Sequence, residues 1–142
     1  MTAADRERLR EQLRRDEGLR LMPYRDTTGH LSIGYGRNLD ASGISSGEAE
    51  VLLDSDLLRA EDHVRAAMPW AERLDAARLG VLVNMTFNLG PDGVAGFRRM
   101  LRALERGDHA GAAREMLGSL WAGQVGDRAT RLARQMEDGT WA

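Results

Sequence analysis

A chain of 142 residues, 42% of them hydrophobic, suits one domain or two small lobes around a packed core. It contains no cysteine, so disulfides and Cys-based zinc sites are excluded. All 20 basic residues are Arg, yet the formal net charge is −2, which argues against a general nucleic-acid binder.

The N-terminal residues Met1-Thr2-Ala3-Ala4-Asp5-Arg6-Glu7-Arg8 are charged and lack the apolar run of a signal peptide or membrane anchor. No other stretch is long and apolar enough to span a bilayer, so no stable membrane insertion is expected. Residues 3–16 predict an amphipathic helix, with Leu9 and Leu13 spaced i, i+4. Gly18 is placed to end it, which leaves Glu17 at the helix terminus. Residues 19–39 change character. Gly29, Gly34 and Gly36 break helical periodicity, while Tyr24, Leu31, Ile33 and Tyr35 favour strands. A small antiparallel sheet of two or three strands is expected, turning at Thr28-Gly29.

Helix returns at about residue 45, where Ser45 and Glu48 form a capping-box signature. It runs to about Ala67 and stops before Pro69. Its acidic residues read as a solvated face. Asp75 can cap a helix over 76–89 that is apolar nearly all round. A turn is expected over Gly90-Pro91-Asp92-Gly93, then shorter helices over 94–106, 109–118 and 126–136. Trp121 and Trp141 read as packing residues. His30, His63 and His109 lack metal-ligand spacing, so they read as surface or capping residues and no metal site is expected.

Glu17, Asp26 and Ser32 gather around the glycine-rich segment. Two carboxyl groups facing each other across a gap are what hydrolysis of a glycosidic bond requires. One must be protonated near neutral pH and the other ionised. Neighbouring Arg and hydroxyl groups are expected to keep Asp26 ionised. Ser32 lies six residues beyond Asp26, where its hydroxyl can hold a water against that carboxylate. This favours water attack with Asp26 as base, inversion at the anomeric carbon, and carboxyls roughly 6.5–9.5 Å apart.

The segments Glu17-Gly18-Leu19-Arg20, Tyr24-Arg25-Asp26-Thr27 and Ser32-Ile33-Gly34-Tyr35-Gly36 resemble the active-site region of the phage lysozyme family, the muramidase endolysins of T-even phage type. The resemblance resumes in Val83-Asn84-Met85-Thr86-Phe87-Asn88-Leu89-Gly90 and Gly93-Val94-Ala95-Gly96-Phe97. It continues through Ala112-Ala113, Trp121, Gln124, Arg128-Ala129 and Arg131 to Gly139-Thr140-Trp141, and so covers nearly the whole chain in order.

The resemblance implies a two-lobed α+β lysozyme-like fold forming one lysozyme domain over residues 1–142. The small lobe would hold the sheet at about 17–45, and a long helix at about 45–67 would link the lobes. The helical lobe would take about 70–142 together with the N-terminal helix 3–16. It implies cleavage of the β-1,4 bond between N-acetylmuramic acid and N-acetylglucosamine in peptidoglycan, with no cofactor. Glu17 would be the acid and Asp26 the base that orients water, helped by Ser32. Substrate contacts would fall to Asn38 through its backbone, to Phe87 and Asn88, and to Gln124 and Arg128 on the peptide side. Phe87 has the competing reading of a plain core residue, and Arg128 that of a structural salt bridge.

Departures from the family are also visible. Ser32 replaces a usual Thr and loses the methyl group that fixes the rotamer. Arg37 replaces a common His, which predicts an Arg37–Asp56 ion pair. The segment between sheet and linking helix is short, which predicts a small lobe without a helix of its own. Met100 and Glu115 fall at two further substrate positions but lack the family's neutral polar side chains, so those roles are not carried over.

The expected protein is a monomer, made in a host cytoplasm and acting on the periplasmic wall after release. The competing readings are a catalytically reduced wall-binding or phage structural protein of the same fold, a retaining transglycosylase, and a helical adaptor.

Overall fold

The computed structural model describes all residues, 1–142. The fold is α+β. Helix α1 (Ala3–Glu17) precedes strands β1 (Arg20–Arg25), β2 (Leu31–Gly34) and β3 (Arg37–Asn38), and the rest is helical. Residues Met1–Val51 and Leu52–Ala142 form two compact units, and the boundary falls inside helix α3 (Ser46–Ala67).

In the first unit, a capping box opens α1. Thr2 Oγ1 accepts from the Asp5 backbone N–H while the Asp5 carboxylate accepts from the Thr2 N–H. The sheet is antiparallel in the order β1-β2-β3. Tyr24 lies opposite Ser32, and Ser32 opposite Asn38, which puts Ser32 on the central strand. Contrary to expectation, the stretch between the sheet and the long helix does contain a helix. Asn38 caps a single turn, α2 (Leu39–Ser42), by accepting the Ala41 N–H at 2.9 Å. A segment too short for a long helix still closes one turn when an Asx side chain caps it.

The predicted Arg37–Asp56 pair does not form. Arg37 instead grips Glu48 with two bonds, NH2 to Oε1 at 2.6 Å and NH1 to Oε2 at 3.0 Å, and Asp56 pairs with Arg59. Glu48 is in the first turn of α3, already held by the Ser45 N–H at 2.8 Å. Asp56 lies eight residues, about 12 Å, further along the helix axis.

The Arg37 guanidinium, and after it the Ser45 bonds, lowers the Glu48 carboxyl to about 2 from an ordinary 4.5. A carboxyl depressed on folding adds stability that is complete above its unfolded value and is lost as pH falls toward its folded one. Thermal denaturation of the parent is therefore expected to lose stability between pH 4.5 and about 2. Glu48→Gln should flatten that part of the curve, and an unchanged slope would exclude the pair as its source.

The second unit is built around helix α4 (Ala76–Ala95), whose Val81, Leu82 and Met85 are fully buried. Asp75 caps it as expected, accepting from the Arg78 N–H at 3.0 Å. The turn expected over residues 90–93 shrinks to one residue. Only Gly90 leaves the helix, at φ 74° and ψ 168°, a conformation open to glycine. Pro91 restarts the helix at a first-turn position, where its missing N–H costs nothing.

Helices α5 (Arg98–Glu105), α6 (His109–Leu117), α7 (Leu120–Val125) and α8 (Asp127–Asp138) complete the chain order. Met100, Leu104, Met116 and Met136 finish the core, and Ala112, Ala113, Ala129 and Ala133 are buried with them. Helix α7 falls outside the predicted elements. Ser119 caps it, accepting from the Ala122 N–H at 3.2 Å.

The end of the chain is tied back to α4. Buried Gln135 donates to Ala77 O at 2.8 Å and accepts from the Ala142 N–H at 3.3 Å. Arg78 donates to the carbonyls of Met136 and Glu137. The Trp141 ring lies so close to Gly80 that an added Cβ would meet it at 2.6 Å. No helix is long and apolar enough to cross a membrane.

Candidate active site

Glu17, Asp26 and Ser32 all belong to the first unit. Glu17 is the last residue of α1, where the helix stops at Gly18. Its side chain reaches the β2–β3 turn. A Cβ built on Gly36 would lie 2.9 Å from Glu17 Oε2. Gly36 also has φ 74°. The glycine is thus required twice, by the backbone and by the carboxylate resting against it.

Asp26 comes directly after β1 and holds the hairpin. Its Oδ1 accepts three hydrogen bonds, from the Thr28 hydroxyl at 2.8 Å, the Thr28 N–H at 2.9 Å and the His30 N–H at 2.9 Å. The Thr28 hydroxyl, followed by the His30 N–H, holds the Asp26 carboxyl below its ordinary value. A hydroxyl was expected beside Asp26, but the one bonded to it belongs to Thr28 rather than Ser32, and the expected Arg is not among the causes. The signal was present in Asp26-Thr27-Thr28-Gly29: an Asp that opens a tight turn accepts from the N–H two residues on.

Ser32 is 2% exposed. The ladder continues past β1, with the Asp26 N–H bonded to His30 O at 2.9 Å. Side chains alternate across a sheet, so Ser32 shares a face with Tyr24 opposite it and with Asp26 on the diagonal.

Asn38 sits on β3 and spends its side-chain oxygen on capping α2. The remaining predicted residues lie in the second unit. Phe87 is 44% exposed, so it is not a core residue. It lines a pocket of about 590 Å³ with Leu79, Val83, Asn84 and Arg128. Asn88 Oδ1 accepts from Trp121 Nε1 at 2.8 Å, and the Trp121 ring meets Phe97 edge-on at 5.9 Å. Arg128 makes no salt bridge. Its Nε and NH2 both donate to Asn84 Oδ1, at 3.1 and 2.7 Å. Gln124 is exposed on α7.

A carboxyl at a helix end beside a short antiparallel sheet, with a helical unit after it, fits an α+β lysozyme-like fold. The chain matches the phage lysozyme family over residues 14–137 and belongs to that family. It is 29% identical, over 93% of this chain and 95% of the relative, to "Probable T4-type lysozyme 1" of Dictyostelium discoideum. The figures are the same for "Probable T4-type lysozyme 2" of that organism. It is also 32% identical, over 86% of this chain, to "Pre-baseplate central spike protein Gp5" of Enterobacteria phage T4, and that match takes in 26% of the spike protein. Family membership makes the chain a lysozyme-type glycoside hydrolase with peptidoglycan as its substrate.

Proposed function

We propose that the chain is an inverting muramidase in which Glu17 is the general acid, Asp26 the general base and Ser32 an aid in holding the attacking water. Cleavage falls on the β-1,4 bond between N-acetylmuramic acid and N-acetylglucosamine. Glu17 gives its proton to the glycosidic oxygen as the bond to the anomeric carbon breaks. Asp26 takes a proton from water, whose oxygen attacks that carbon from the opposite face. The observation that carries this reading is how Asp26 is held. All three of its donors converge on Oδ1, which keeps the group ionised and leaves Oδ2 for water.

The sugar and peptide contacts proposed for Asn38, Phe87, Asn88, Gln124 and Arg128 fit their settings. Phe87 offers an exposed ring. Asn88 has its oxygen engaged by Trp121 and keeps its amide N–H groups for a ligand. Arg128 is oriented by Asn84.

NMR of the first-formed anomer from a soluble peptidoglycan fragment tests the mechanism. An α product is expected; a β product would mean retention and would remove the role given to Asp26. Gly36→Ala tests the placement of the acid. The new methyl group displaces the Glu17 carboxylate and strains the backbone at φ 74°, so kcat is expected to fall about 10²-fold and the melting temperature to drop while far-UV circular dichroism stays unchanged. Parent-like kcat would show that the Glu17–Gly36 approach is incidental.

The spike protein match favours a second reading, a wall-binding part of a phage particle with reduced catalysis. Undiminished wall binding without release of reducing ends would support it.

A further inference from the structure

The Asp26 hairpin contains a chain of polar groups that the hydrolytic reading does not use. Thr28 Oγ1 is 2.8 Å from Asp26 Oδ1 and 2.6 Å from His30 Nδ1, while His30 Nδ1 is 3.8 Å from Asp26 Oδ1. The hydroxyl therefore sits between ring and carboxylate. A threonine hydroxyl has one proton to give and lone pairs to accept with. If His30 Nδ1 is bare, ring and carboxylate compete for that proton. If Nδ1 carries hydrogen, the ring donates to Oγ1 and the hydroxyl proton goes to Asp26 alone.

We propose that Thr28 and His30 are positioning residues for Asp26, linked as Nδ1–H to Oγ1 and Oγ1–H to Oδ1, so that a proton on Nδ1 of the ring commits the hydroxyl proton to the base. This rests on the reading of Asp26 as the base. Both the imidazolium and the neutral Nδ1–H tautomer support the chain. The Nε2–H tautomer reverses its first bond and leaves Asp26 with two donors instead of three. The link costs basicity, because each donor stabilises the carboxylate. What it gains is a fixed carboxylate plane, with Oδ1 tethered and Oδ2 free. The other charged groups of this hairpin are engaged elsewhere. Arg25 NH1 donates to Gly29 O at 2.9 Å, and Asp40 of α2 accepts from the Leu31 N–H at 2.8 Å.

The test uses the full chain. In ¹⁵N NMR at neutral pH, the neutral His30 ring is expected to carry its proton on Nδ1; a bare Nδ1 overturns the proposal. In ¹³C NMR, the Asp26 carboxyl midpoint is expected to rise in Thr28→Val and to return in Thr28→Ser. A midpoint in Thr28→Val equal to the parent's overturns it. The acid limb of kcat/KM should move up with that midpoint while KM holds, a change that loss of a merely structural contact would not produce. The two NMR readouts need no activity. If they come out as expected while Asp26→Asn still lyses cells, the base assignment fails and the link stands.

Discussion

Glu17→Gln is expected to lower kcat on permeabilised Gram-negative cells by about 10²–10⁴-fold, the range a general acid supplies. The amide keeps the size of the carboxyl and its approach to Gly36, so the parent melting temperature should be retained. What it lacks is a proton to give to the leaving oxygen. A leaving group that arrives already activated bypasses that need, so the loss should shrink on an aryl glycoside with a good leaving group. Turbidity loss on cells and aryl release from the glycoside separate the cases. Equal lysis by parent and variant would remove Glu17 from the chemistry. An equal loss on both substrates would mean that its role is in binding.

Asp26→Asn is expected to cost a comparable 10²–10⁴-fold in kcat, and the structure explains why the fold should survive. An asparagine retains an oxygen at the Oδ1 position, so the bonds from the Thr28 hydroxyl, the Thr28 N–H and the His30 N–H persist. Asparagine is also favoured at the start of such turns. The group at Oδ2 becomes an N–H donor that cannot take a proton from water. Substrate affinity, measured by equilibrium binding of a peptidoglycan fragment, should stay near the parent value. If affinity and rate fall together, Asp26 holds the substrate and another group activates the water.

Much of this arrangement was legible in the sequence because short-range chemistry encodes it. Ser45 and Glu48 announce the start of α3, Asp75 announces α4, and the strand-favouring Tyr24, Leu31, Ile33 and Tyr35 announce the sheet. The expectations that failed concern single turns and partner choice. Helices α2 and α7 are four and six residues long, too short to show a period, although Asn38 and Ser119 carry the capping signal. Gly90 departs from the helix alone because Pro91 suits the first turn of the helical stretch beyond it. Arg37 takes Glu48 over Asp56 because the nearer carboxylate is already oriented by its cap, and spacing alone does not reveal orientation. Thr28 reads from the sequence only as a turn residue, and His30 only as a surface or capping one, for a related reason. Their importance comes from a turn that folds both back onto Asp26.

The anchoring of Gln135 between Ala77 and Ala142 has an implication for how these helix ends open. It brings the entry of one helix beside the exit of another, so the stretch from α4 to α8 begins and finishes at the same place. Two helix ends that share one buried side chain cannot fray independently, because loosening either frees the amide that holds the other.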